Sequence, residues 1–183
     1  RQAGYDGVEL GPWGYFPNTP DALAGEMKKR GLSLVAATVG GNFTDGASVA
    51  AMLQTIDGVA ALQKHFPGAR YIVLLPEMYT DLMTGERTMP ATLSDAEWKT
   101  MCANIRKVDE YIAKEHGLTA TLHPHVECHI QTEEEIERVL DIPVSPCASI
   151  PGTTSTAAAS PSPFSKSTTR AFRMSTSRTA TWR

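Results

Sequence analysis

Acidic residues are absent from the last 42 positions of this 183-residue chain, and leucine is absent with them. Residues 142–183 hold five Lys+Arg, nine Ser, eight Thr and a single valine, Val144. A segment of that composition cannot bury enough apolar area to offset the entropy lost on ordering it. Cysteine is scarce as well: Cys102, Cys128 and Cys147 are widely spaced and form no C-x-x-C pair. That usage reads as buried thiols in a reducing compartment. No apolar run approaches the roughly 18 residues needed to span a bilayer, and no signal peptide opens the chain. A cytoplasmic setting without a membrane partner is therefore expected. Basic residues are not in excess, the net charge being −3, which gives no reason to expect nucleic acid as a partner. The chain opens at Arg1 rather than Met and is read as a fragment.

What is present is concentrated before position 142. All 20 acidic residues and 12 of the 17 Lys+Arg lie in residues 1–141, where apolar runs alternate with helical patterns. "YDGVEL" (5–10) reads as a strand. Thr19-Pro20 supplies an N-cap and a first-turn proline for a helix ending before Gly31. "LSLVAATV" (32–39) reads as a strand buried on both faces, as parallel strands are. Residues 47–66 carry a broad apolar stripe at helical spacing, and "YIVLLP" (71–76) is the third strand. Ser94 and Glu97 form a capping box for a helix that runs to Gly117. "TATLHPHV" (119–126) is the fourth strand, and Thr132 with Glu135 caps a last helix. Four βα units in a row predict a parallel α/β sheet with right-handed crossovers. A closed (β/α)8 barrel and an open doubly wound sheet both fit this alternation. No glycine-rich phosphate fingerprint follows any strand, which weakens the nucleotide-binding version. Polar residues gather where the strands end, at Glu9, Glu77, His123, His125 and Glu127, the end at which a barrel of this kind builds its active site.

Three stretches, "GYDGVELGPWGYFP" (4–17), "VLLPEMYTDLMTGE" (73–86) and "HPHVECHIQTEEEIERVL" (123–140), resemble the sugar isomerase/epimerase superfamily with a xylose isomerase-like TIM barrel, inosose dehydratases being the nearest branch. The resemblance covers about residues 1–141. It implies a (β/α)8 TIM-barrel fragment of about four consecutive βα units, a half barrel, with a disordered tail at 142–183. It also implies a divalent metal (Mn, Co, Zn or Mg) in an intact family member, with none required to be bound by this chain. The implied chemistry is proton abstraction beside a carbonyl, followed in the dehydratase branch by loss of a β-hydroxyl as water. The substrate would be a keto-sugar or an inositol-derived ketone. A ketose epimerase lineage, a hydroxypyruvate-type isomerase lineage and a non-catalytic half-barrel remnant are the alternatives. Endonuclease IV-like barrels share the superfamily, but the acidic charge and the lack of a basic stripe argue against DNA repair.

The family's next strand would carry an L-D-x-G-H-H-x-Y stretch, and a later one H-V-H-L-K-D. Neither is written, yet both are allowed in another reading frame. Threonine codons are ACN, so a preceding third base followed by AC encodes His, Tyr, Asn or Asp; serine TCN similarly yields Leu, Val, Ile or Phe, and alanine can yield Gly. Shifted in this way, "SPCASIPGTTSTAAA" (145–159) allows V-S-L-C-L-D-P-G-H-H-L-Y-G-G-G. The same shift lets "MSTSRT" (174–179) encode H-V-H-L-K-D. Two family motifs in the right order make an out-of-frame translation from near positions 140–146 the expected origin of the tail. A genuine Ser/Thr-rich tail is the alternative.

The resemblance implies metal-ligand or substrate roles for His123 and His125, spaced by two so that both point to one side of a strand. Related barrels often have E-x-H here, so His123 stands where a glutamate would be. A polar, hydrogen-bonded pair at the barrel mouth is the alternative. Glu127 is the nearest carboxylate and a third metal candidate, against a solvated loop. Glu9, Trp13 and Glu77 are candidates for contact with substrate at the mouth; loop hydrogen bonds or packing would serve equally. His129 reads as loop surface, His65 and His116 as helix-terminal residues that complement the dipole, and Met78 and Met83 as packing. Four strands alone would leave two open sheet edges and with them a route to self-association.

Overall fold

The computed structural model describes residues 4–140. The tail expectations for 142–183, its lack of structure and the shifted strand motifs, lie outside the described residues. Eight elements alternate in chain order: β1 (Gly7–Glu9), α1 (Pro20–Arg30), β2 (Ser33–Gly41), α2 (Gly46–Gln63), β3 (Tyr71–Pro76), α3 (Asp95–His116), β4 (Thr119–Leu122) and α4 (Glu133–Leu140). The strands form one parallel sheet in the order β1-β2-β3-β4. Each strand therefore lies beside the one before it, the arrangement of consecutive units around a (β/α)8 barrel rather than the reversed order of a doubly wound sheet.

Local chemistry accounts for the element ends. Thr19 occupies the N-cap of α1, but its side chain makes no capping bond, and Pro20 at the first helical position does the work of starting the helix. Gly31, at φ 62°, ends it. In α2 the cap is Asp45, whose carboxylate accepts from the N–H groups of Ala47 and Ser48. The Ser94–Glu97 capping box is formed at α3. At α4 the hydroxyl of Thr132 accepts from Glu135 N while the Glu135 carboxylate accepts from Thr132 N, so the second box is formed as well.

Two strand expectations are corrected. β4 stops at Leu122 rather than running to residue 126. His123 N still donates to Leu74 O at 2.9 Å, but Pro124 has no N–H with which to continue the ladder. β2 is not buried on both faces throughout: along Ser33–Gly41 buried residues alternate with exposed or half-buried ones except at Ala36 and Ala37, which are both buried. The same alternation holds in β3, where Ile72, Leu74 and Pro76 are buried and Tyr71, Val73 and Leu75 only half so. The buried set faces the helices, meeting Ile56 and Val59 of α2 and Met101, Ile105, Val108 and Ile112 of α3 in one core. Each such side chain contributes about 1.5–3 kcal/mol by leaving water. The opposite face would line a barrel's interior, and four strands cover it only in part. Between Val8 and Glu9 the register with β2 slips by one residue, leaving Val35 as a bulge that is 38% exposed. Gly7 fits beside it, since a Cβ there would come within 3.0 Å of Val35 Cγ1.

Candidate functional site

The bulge determines where the first candidate sits. After the register slip Glu9 pairs with Ala36, and its carboxylate accepts a hydrogen bond from the hydroxyl of Thr38 in β2. One carboxylate oxygen is thereby fixed, and the other is open to solvent on an exposed residue. Glu77, directly after β3, is exposed and held through its backbone N–H to Gly41 O at 3.0 Å. Trp13 is placed differently: its indole rests on α2, Cζ2 lying 3.4 Å from the point a Cβ on Gly58 would occupy.

His123 and His125 follow β4, with ring centroids 5.8 Å apart and planes tilted by 40°. They flank Pro124 in the connection beyond the strand, not on it. His125 Nδ1 lies 2.8 Å from the carbonyl oxygen of Val126. A carbonyl can only accept, so in the neutral ring Nδ1 carries the proton and Nε2 presents its lone pair. Glu127 adopts a left-handed backbone, φ 60°, and its carboxylate accepts from the hydroxyl of Thr80. That hydrogen bond ties the β4–α4 connection to the β3–α3 connection. Among the described residues no three His, Cys, Asp or Glu side chains come together closely enough to hold a metal ion. His123 and His125 form a pair, and Glu127 is engaged elsewhere.

Two expectations about neighbouring residues change, and that of buried cysteines holds for the two described. His129 is buried, not surface: only 6% exposed, it places Nε2 2.8 Å from Pro90 O and its ring 5.6 Å from that of Tyr79. Met83 does not pack. The Asp81 carboxylate accepts from the N–H groups of Met83 and Thr84, closing a turn that leaves Leu82 80% and Met83 91% exposed. Those bonds, that from Thr84 first, hold the Asp81 carboxyl below its ordinary range. The cysteines within the described residues, Cys102 and Cys128, are buried, and burial raises both thiols above the ordinary value. They are therefore poor nucleophiles.

Sequence reasoning missed Tyr79 and Gln131. The N–H of Tyr79 donates to Glu127 O at 2.8 Å, and its hydroxyl accepts from Gln131 Nε2 at 3.0 Å. The Oε1 of Gln131 accepts from Glu127 N at 2.9 Å. The turn bearing His125 is thus clamped on both sides of residue 127. At the opposite end of the sheet a pocket of about 390 Å³ is lined by Asp57, Lys64, Glu115 and His116, among others. There Asp57 accepts from Tyr111 at 2.6 Å and lies 2.9 Å from His116 Nε2, so His116 bridges α2 and α3.

Comparison with known proteins adds to this geometry. Residues 1–146 match the family described as xylose isomerase-like TIM barrel. The inosose dehydratase of Bacillus velezensis is 29% identical over 141 residues, covering 76% of this chain and 45% of that protein. The inosose dehydratase of Geobacillus kaustophilus is 25% identical over 146 residues, covering 77% and 46%. The chain spans about half the length of the curated relatives it matches. Among solved structures, a xylose isomerase-like TIM barrel protein from Mycobacterium smegmatis in complex with magnesium gives a TM-score of 0.54 at 14% identity, covering 76% of this chain and 49% of that one. The probable 3-DHS dehydratase AsbF of Bacillus anthracis gives 0.55 at 16%, with the same coverage. At such identities the structural likeness establishes the fold alone.

Proposed function

The chain belongs to the xylose isomerase-like TIM barrel family, and from that premise we propose that it is half of an inosose dehydratase-like enzyme, a lyase acting on a polyol-derived ketone and inactive as the 183-residue chain. The observation that carries the reading is His125. Its Nδ1 is committed to Val126 O, which leaves Nε2 as a basic nitrogen beside His123 where the fourth strand ends. In this reading a ketone sits over the strand ends and Nε2 takes the proton from the carbon next to the carbonyl. The bonding pair so released forms the enolate; its collapse makes the carbon–carbon double bond and breaks the C–O bond to the β-hydroxyl, which leaves as water with the proton that His125 took. The free oxygen of Glu9, whose partner oxygen is held by Thr38, accepts a substrate hydroxyl. Inosose dehydratases as curated relatives at 25–29% identity support this substrate class.

A divalent cation, when bound, would polarise the carbonyl oxygen. The described residues do not fit such a site on their own: two imidazoles converge where catalytic sites use about three protein ligands. No step above passes through the metal, and Glu127, His123 and His125 would need further ligands to hold it. For this reason the 183-residue chain is expected to be inactive and a chain with the reading frame restored after about codon 141, completed to a full barrel, to be active. The test follows the loss of 2-keto-inositol with both chains, before and after EDTA and with Mn or Co added back. Turnover by the restored chain, abolished by EDTA and returned by metal, supports the reading. Equal turnover by both chains overturns the expected inactivity. Epimerisation of a ketose without dehydration keeps the family and discards the dehydratase.

A further inference from the structure

We propose that Gln131 is a positioning residue that sets the tautomer of His125, by fixing the peptide plane between Val126 and Glu127. The two hydrogen-bonding groups of that plane are both engaged. Its carbonyl, Val126 O, accepts from His125 Nδ1 at 2.8 Å, and its N–H, on Glu127, donates to Gln131 Oε1 at 2.9 Å. In a trans peptide these groups point in opposite directions, and the described residues contain no cis bond. The carbonyl therefore cannot leave His125 without taking the N–H away from Gln131. Glu127 at φ 60° is in a region that a glutamate enters at a cost, so the plane needs an external hold. Gln131 is itself held, its Nε2 donating to the Tyr79 hydroxyl at 3.0 Å and its backbone N–H to the Glu135 carboxylate at 2.9 Å.

The consequence lies at the other nitrogen. With the plane fixed, Nδ1 keeps its proton and Nε2 keeps a lone pair. With the plane free to turn, the ring loses the acceptor that holds the proton on Nδ1. The positioning role rests on the reading of His125 above for its importance to activity, but not for its existence, because the tautomer can be measured without turnover.

The experiment is long-range ¹H–¹⁵N correlation of the imidazoles in the ¹⁵N-labelled 183-residue chain. It is run at one pH above imidazole protonation, with His125 assigned by its loss in His125→Gln. The unmodified chain should show His125 with Nδ1 protonated. Gln131→Leu, which offers no acceptor, should lower the ratio of the Nδ1–H to the Nε2–H form by about fivefold, the change that one ordinary neutral hydrogen bond supports. Gln131→Glu keeps an acceptor for Glu127 N–H and should keep the ratio. Tyr79→Phe loosens Gln131 without touching the turn and should give a smaller drop. An unchanged ratio in folded Gln131→Leu overturns the proposal. If that variant fails to fold, the other two decide: Tyr79→Phe without a drop, or Gln131→Glu with a full one, overturns it equally. In the full barrel, a lowered ratio with undiminished turnover would sink the role of His125 while leaving the positioning intact. Lost turnover with an unchanged ratio would do the reverse.

Discussion

At the scale of single residues, two positions carry measurable costs. Glu127 holds φ at 60°, where a side chain with a Cβ is strained and glycine is not. Glu127→Ala and Glu127→Gly both remove the carboxylate contact with Thr80, so the difference between them isolates the backbone. The glycine variant is expected to be about 1 kcal/mol the more stable in urea unfolding; equal stability would mean that the turn relaxes when the carboxylate is gone. Asp109 has its carboxyl raised above the ordinary value, chiefly by burial and secondarily by the charge of Glu110. A folded state that binds this proton more tightly than the unfolded state loses stability as pH rises through the interval between the two pKa values. Asp109→Asn should therefore melt at a higher temperature than the parent at neutral pH, and the gain should vanish in acid below the ordinary aspartate value. A gain that persists in acid would assign the effect to packing. His123 and His125 were legible at this scale because their spacing and their place after an apolar run are local. Gln131 and Tyr79 were not, since the bond between them joins residues 52 positions apart.

The elements show what local sequence can and cannot specify. Both capping boxes were readable, because a Ser or Thr three residues before a Glu contains its own geometry. Ser94→Ala should cost about 1 kcal/mol of stability in urea unfolding, with the loss confined to the start of α3 in hydrogen exchange. A change below a few tenths would show that the Glu97 carboxylate suffices alone. The end of β4 was misread although Pro124 signalled it, because the alternation of apolar and polar residues continues past the proline. Hydrogen bonding, not alternation, ends the strand. The hairpin turn at Asp81–Glu86 was also missed, and with it the exposure of Met83.

Across the whole molecule, the parallel direction of the strands was legible from alternation alone, whereas their order, which a doubly wound sheet would reverse, and the covering of the sheet were not. Periodicity says which residues share a face and is silent on what lies against it. Here one face meets helices, and the other leaves Tyr71, Val73 and Leu75 half-buried beside an exposed Val35. β1 and β4 are each paired on one side only among the described residues. The 183-residue chain should consequently self-associate in sedimentation velocity across a wide dilution series, and Val35→Lys should weaken the association by charging the open face. A monomer at every concentration, with no binding of an apolar dye, would show that the face is covered.

The order β1-β2-β3-β4 has a consequence in time. Every strand pairs with its predecessor through one intervening helix, so no contact within the sheet waits for a partner much further along the chain. Gly7 pairs with Ser33 and Tyr71 with Thr119, separations at which parallel pairing is slow, but this order lets each βα unit dock onto an edge that already exists while the chain is still being synthesised. Assembly can thus proceed as steadily as translation, with the most recently added strand always serving as the template for the next.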